Sequence, residues 1–176
     1  MAPAIDIGMV AVISTLVWLI FAPQTAHLDY CKTSRPYIGH KILAESRLHG
    51  VKSSLALAVM EVESTWNVNA ERIERGGRTK SIGLFQLYYP TAVEMERKRG
   101  SNRVRSFADL RDVDVNVELG VEHLAKCERK FHDLSRVLCC YNAGPYAKAA
   151  ACESEWVQNY ERKFRLAVRK YHRSRI

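Results

Sequence analysis

The chain has 176 residues, 47% hydrophobic and 26% charged, with 9 Gly and 5 Pro, which suits one folded domain with a sizeable core and excludes a wholly disordered, collagen-like or linker-like polymer. Lys and Arg number 27 against 19 Asp and Glu, a net charge of +8, so the partner to look for is anionic: nucleic acid, anionic lipid or an acidic cell-wall polymer.

Ile7 to Ala22 is an uncharged, mostly apolar run. As a helix of about 1.5 Å per residue it reaches about 24 Å, short of a hydrocarbon core of about 30 Å. The residues before it carry Asp6 and no Lys or Arg, and the small-residue cleavage pattern of a secretory leader is poor around Ala22-Pro23 and Ala26. Residues 1–26 therefore read as an uncleaved hydrophobic anchor or inserting helix, the alternative being an ordinary buried helix. Lys32, Arg35 and Lys41 follow the run with no cation before it, a distribution that favours a cytoplasmic position for residues 27–176.

Beyond a short connector from Pro23 to Pro36 the pattern is helical. Ile38, Ile42 and Leu43 form a stripe that Gly50 closes. Ser53 or Ser54 is placed to cap a helix running to about Thr65. Asn67 to Lys80 is polar, with Gly76-Gly77, and reads as an exposed loop or small hairpin. A third helix starts near Thr91 after Pro90. A fourth covers Asp112 to Phe131, with Val117, Val121, Leu124 and Phe131 on one face. A fifth, capped by Asp133 or Ser135, runs through Tyr141 and ends at Asn142 and Gly144-Pro145. Glu155 to His172 is the last, and from Glu161 to Arg175 seven Lys and Arg face one acid. The reading of that tail is a solvated face, then attraction to the wall or to lipid headgroups. No nucleic-acid recognition motif is present, so nucleic acid is not expected as a partner.

The five cysteines (Cys31, Cys127, Cys139, Cys140, Cys152) contain no C-x-x-C pair and no metal-ligand spacing. They read as small buried residues, or as one or two bridges of unassigned pairing if the compartment is oxidising. The histidines His27, His40, His123, His132 and His172 are scattered, and His49 sits at a helix end, so neither metal nor cofactor is expected.

The helix at 55–64 holds the informative residue. At about 100° per residue, with Glu63 at zero, Ala56 lies near 20°, Val59 near −40° and Met60 near 60°, while Glu61 falls near 160° on the other side. A carboxyl against an apolar wall has its ionised form destabilised, so its pKa rises, as a general acid requires. A buried Glu satisfied by an Arg is the plain alternative.

Glu63-Ser64, then Gly83-Leu84-Phe85-Gln86, then Tyr141-Asn142-Ala143-Gly144-Pro145, then Asn159-Tyr160 occur in that order. With the helical stretch from Val113 to Leu124, this series resembles the Slt-type lytic transglycosylases, relatives of goose-type lysozyme, over roughly Ile38 to Lys170. The chain departs from the family pattern at Phe85, where a methionine is usual, and at Cys140, where an alanine is usual. The resemblance implies a mainly α, lysozyme-like domain over 27–176. It further implies cleavage of the bond between N-acetylmuramic acid and N-acetylglucosamine with formation of 1,6-anhydro ends, and no metal or cofactor. Glu63 would be the catalytic acid and base. Ser64, Gly83, Phe85, Gln86, Tyr141, Asn142 and Tyr160 would line or shape the substrate site: Ser64 by orienting the helix end, Gly83 and Gly144 by letting the main chain approach the sugar, Gln86 and Asn142 by bonding substrate amides, and the two tyrosine hydroxyls by bonding Glu63 or the substrate's acetamido group. Trp66 would stack on a sugar or pack in the core.

The partners expected are peptidoglycan strands and, through the apolar segment, a membrane. A domain held in the cytoplasm would not meet peptidoglycan, so the setting expected is a phage virion or ejection apparatus that delivers the chain to the cell envelope. The alternatives are a tethered periplasmic enzyme of a secretion or conjugation system, a hydrolytic muramidase, and a structural or channel-forming virion protein on a degenerate fold.

Overall fold

The computed structural model describes residues 32–74 and 76–173, so the reading of residues 1–26 as an anchor, and Cys31, lie outside the described residues. The domain is built from helices α1 (Arg35–His49), α2 (Ser53–Ser64), α3 (Tyr89–Lys98), α4 (Val113–Lys130), α5 (Leu134–Ala143), α6 (Ala149–Cys152) and α7 (Glu155–Arg173). An antiparallel sheet of β1 (Glu71–Ile73), β2 (Lys80–Ile82) and β3 (Leu87–Tyr88), in that spatial order, and a 3-10 turn at Ala108–Arg111 complete it. The mainly helical expectation holds. Among the described residues no helix is long and apolar enough to cross a membrane.

α2 is the centre. Five consecutive residues, Ala56 to Met60, are buried, because the helix is packed on one side by α1 and on the other by α7. A helix apolar all round must be enclosed, and α7 packs on the same core with Tyr160, Phe164 and Ala167. That return brings residues about a hundred positions apart into one site. α4 packs against α1 and α5 to complete the core.

Several boundaries differ from expectation for local reasons. Ser53 and Ser54 do not cap α2 but begin it: the Lys52 carbonyl already accepts from the amides of Leu55 and Ala56. At α5 the cap is Asp133, whose carboxylate accepts from the Arg136 amide at 3.0 Å, and Ser135 lies inside the helix. The polar stretch at 67–80 contains one strand of a hairpin paired Glu71 to Ile82 and Ile73 to Lys80. β3 and the four-residue α6 are too short to carry a sequence period.

Two disulfides fasten α5. Cys140 bridges to Cys127 on α4 and Cys139 to Cys152 on α6. Adjacent helical residues point about 100° apart, so neighbouring cysteines can reach two different elements. On the opposite flank Glu96 of α3 is buried and accepts from Arg103 and Ser101. Burial alone would raise its carboxyl, but those donors outweigh it and hold the pKa down to about 2.

Candidate active site

A cleft of about 680 Å³ opens between the hairpin, α3, α4 and the end of α5. Glu63, one residue from the end of α2, forms part of its wall. Its carboxyl is partly buried, and the desolvation this imposes raises its pKa to about 7. The Tyr160 hydroxyl, arriving on α7, donates to Glu63 Oε1 at 2.7 Å and offsets part of the rise. The Arg72 charge also lowers it, and the Glu74 charge raises it. Burial and the neighbouring Glu63 push the Tyr160 hydroxyl well above its ordinary value, so it remains a donor.

The Gly83–Gln86 turn between β2 and β3 is fixed from below. Buried Asn116 on α4 accepts from the Phe85 amide at 2.9 Å and donates to the carbonyls of Ile82 at 2.9 Å and Leu110 at 2.7 Å. The Tyr141 hydroxyl donates to the Phe85 carbonyl at 2.8 Å. Both backbone groups of Phe85 are therefore bonded to side chains from other elements.

This places the expected residues unevenly. Glu63, Gln86, Tyr141 and Asn142 line the cleft together, and Tyr160 reaches it through Glu63. Phe85 does not: its ring is wholly buried against Gly120, where a Cβ would overlap it, so it is core rather than a subsite. Gly83 has φ +81, and an added Cβ would meet the Leu110 carbonyl at 2.6 Å. The close approach it permits is to α4 and the 3-10 turn, not to a sugar. Ser64 bonds back to the Met60 carbonyl at 3.3 Å within its own helix and does not line the cleft. Gln86 spends its amide nitrogen on the Ala70 and Gly83 carbonyls, both at 3.0 Å, leaving an acceptor for the cleft. The Tyr141 hydroxyl does not bond Glu63, because the Phe85 carbonyl takes it.

Asn142 stays inside α5, and the helix is closed instead by Gly144, at φ +92. Gly144 lines the cleft, with open space where its Cβ would be. The Asn142 side-chain amide oxygen, Oδ1, is buried with no hydrogen-bond partner among the described residues. Trp66 is not in the cleft. It sits behind α2, donating to Glu61 Oε2 at 2.6 Å beside Tyr171, which donates to the same oxygen at 2.7 Å, while Lys170 pairs with Glu61 Oε1 at 2.9 Å.

Sequence reasoning passed over Arg72, Glu74, Ser81 and His123, all of which line the cleft. Glu74 accepts from Ser81 at 2.5 Å and from Arg72 at 3.0 Å. Burial would raise its pKa, but these donors lower it on balance, so Glu74 is ionised where Glu63 is neutral. Burial lowers the pKa of His123, whose ring lies 5.1 Å from that of Tyr141. No motif announces these residues; the alternation of charges in the hairpin is their one trace. Among the described residues no group of three or more His, Cys, Asp or Glu could hold a metal ion.

The family described as Transglycosylase SLT domain matches residues 41–163. A curated relative, membrane-bound lytic murein transglycosylase C of Shigella sonnei (strain Ss046), is 32% identical over 127 residues, covering 67% of this chain and 33% of the relative. Among solved structures, an inactive mutant of the lytic transglycosylase Slt from Pseudomonas aeruginosa superposes with a TM-score of 0.57 at 23% identity, over 76% of this chain and 24% of that one. The chain thus spans about a third of the curated relative's length and about a quarter of the solved chain's.

Proposed function

The chain belongs to the Transglycosylase SLT domain family, and from that premise we propose that it cleaves peptidoglycan strands without hydrolysis, with Glu63 as acid and then base. The observation that carries the proposal is a single protonated carboxyl in the cleft wall, held near pKa 7 and fixed at one oxygen by Tyr160. With Oε1 accepting from the tyrosine, Oε2 is free to present the proton.

Glu63 gives that proton to O4, the oxygen between C1 of N-acetylmuramic acid and C4 of N-acetylglucosamine, and the C1–O4 bond breaks. The sugar's acetamido oxygen takes up the positive charge at C1, one of the substrate-assisted routes that dispense with a second carboxylate. The Glu63 carboxylate then removes the proton from the C6 hydroxyl as O6 bonds to C1. A 1,6-anhydro end forms, no water is consumed, and Glu63 is protonated again. The unpartnered Asn142 oxygen suits an acetamido N–H, and the Gln86 amide oxygen a second donor.

Digestion of purified sacculi tests this. The expected products are lighter than hydrolytic ones by one water per cut, and Glu63→Gln should lose at least about a hundredfold in rate. Reducing ends instead of anhydro ends would favour the second reading, a muramidase. Ionised Glu74 in the same cleft supports that reading, since a second carboxylate is what the activation of a water requires.

We assign the enzyme to the cell envelope, outside the cytoplasm. Two bridges in a small domain suit an oxidising compartment. Delivery by a phage particle reconciles that assignment with cations clustered after the apolar segment, and detection of the protein in purified virions is its test.

A further inference from the structure

At one end of the cleft α4 finishes at Lys130, beside the turn that follows α5. Tyr146, four residues past Asn142, is 90% exposed there and lines the cleft. A large aromatic so far out of the core is not held by burial. It is held by Lys130, whose ammonium lies 4.3 Å from the ring centroid and donates to the Pro145 carbonyl at 2.6 Å. The ammonium lies over one face of the ring, and the rest of this cleft-lining side chain is open.

Charge singles out the same spot. Three lysines line the cleft, and two are already compensated: Lys98 pairs with Glu94 at 3.3 Å and Lys126 with Glu122 at 2.8 Å. Lys130 has no acidic partner among the described residues. A flat ring so open suits the apolar face of a pyranose, and the cation over the ring suits a carboxylate.

We propose that Tyr146 and Lys130 form a binding site for a sugar residue that bears a carboxylate-rich peptide, distinct from the bond-breaking residues around Glu63. Tyr146 stacks on the ring and Lys130 pairs with a carboxylate of the attached peptide. The inference rests on the reading of the substrate as peptidoglycan, and it makes the chain prefer strands that retain their stem peptides over strands stripped of them.

The test compares initial rates of the full chain on intact sacculi and on the same strands after amidase removal of the peptides. Lys130→Met should lower the ratio of the two rates by about fivefold, and Lys130→Arg should restore it. Tyr146→Ala should raise KM on intact strands by about tenfold with a smaller change in kcat, while Tyr146→Trp should retain the wild-type KM. An unchanged ratio in Lys130→Met, or an unchanged KM in Tyr146→Ala, overturns the proposal. If the wild-type chain cuts neither substrate, the reaction assigned above has failed. Co-sedimentation of the Glu63→Gln chain with intact and stripped sacculi then decides the site: the inference stands if adding Tyr146→Ala and adding Lys130→Met each weaken retention on intact sacculi, and falls if either leaves it unchanged.

Discussion

Glu63 keeps its proton at a pH where an exposed carboxyl has lost it, because the end of α2 offers an apolar wall and one hydroxyl rather than a cation in contact. Its pKa in the fold, about 7, lies above the ordinary 4.5. The stability that goes with its neutral form is complete below about pH 4.5 and is lost as pH rises through about 7. Glu63→Gln cannot ionise. Its melting temperature should therefore match the wild type near pH 4 and exceed it progressively from pH 5 to 8, as calorimetry would show, while activity disappears. Tyr160→Phe acts in the other sense. Removing the donor that lowers the Glu63 pKa should move the alkaline limb of kcat/KM to higher pH, and kcat should fall by about tenfold. An unmoved limb would mean that Tyr160 is only part of the core.

Among the elements, the β2–β3 turn depends on a residue it does not contain. Asn116 supplies three hydrogen bonds to backbone groups of Phe85, Ile82 and Leu110, and Asn116→Ala leaves all three without that partner in a buried place. The expected cost is about 3 kcal/mol in urea unfolding, with faster hydrogen exchange at the Phe85 amide. The pattern of α4 concealed this, since its apolar face is read from Val117, Val121 and Leu124 and a buried polar position interrupts no period. Glu63 was legible for the opposite reason: Ala56, Val59 and Met60 mark its face by rotation alone. Helix ends were legible where a carboxylate or a glycine sat in register, at Asp112, Asp133 and Gly50. Phe85 and Gly83 were misplaced because a motif in the chain does not say which of its side chains face inward. The Cys139 and Cys140 partners stayed open because neither spacing excludes the other pairing.

Across the whole molecule, function requires that chain segments far apart in sequence meet at α2. α7 delivers Tyr160 to one side, and its far end closes on Glu61 and Trp66 behind the same helix. The two bridges hold the remaining wall, each spanning 13 residues. Closing a loop of that size contributes about 3 kcal/mol per bridge. Dithiothreitol should lower the urea midpoint accordingly, and Cys139→Ser with Cys152→Ser should reproduce about half of the loss.

Both crosslinks converge on α5, the helix that supplies Tyr141 and Asn142. Where thiols stay reduced neither crosslink forms, and the last wall of the groove is then held by packing alone. Completion of that wall is thereby tied to the redox state of the surroundings.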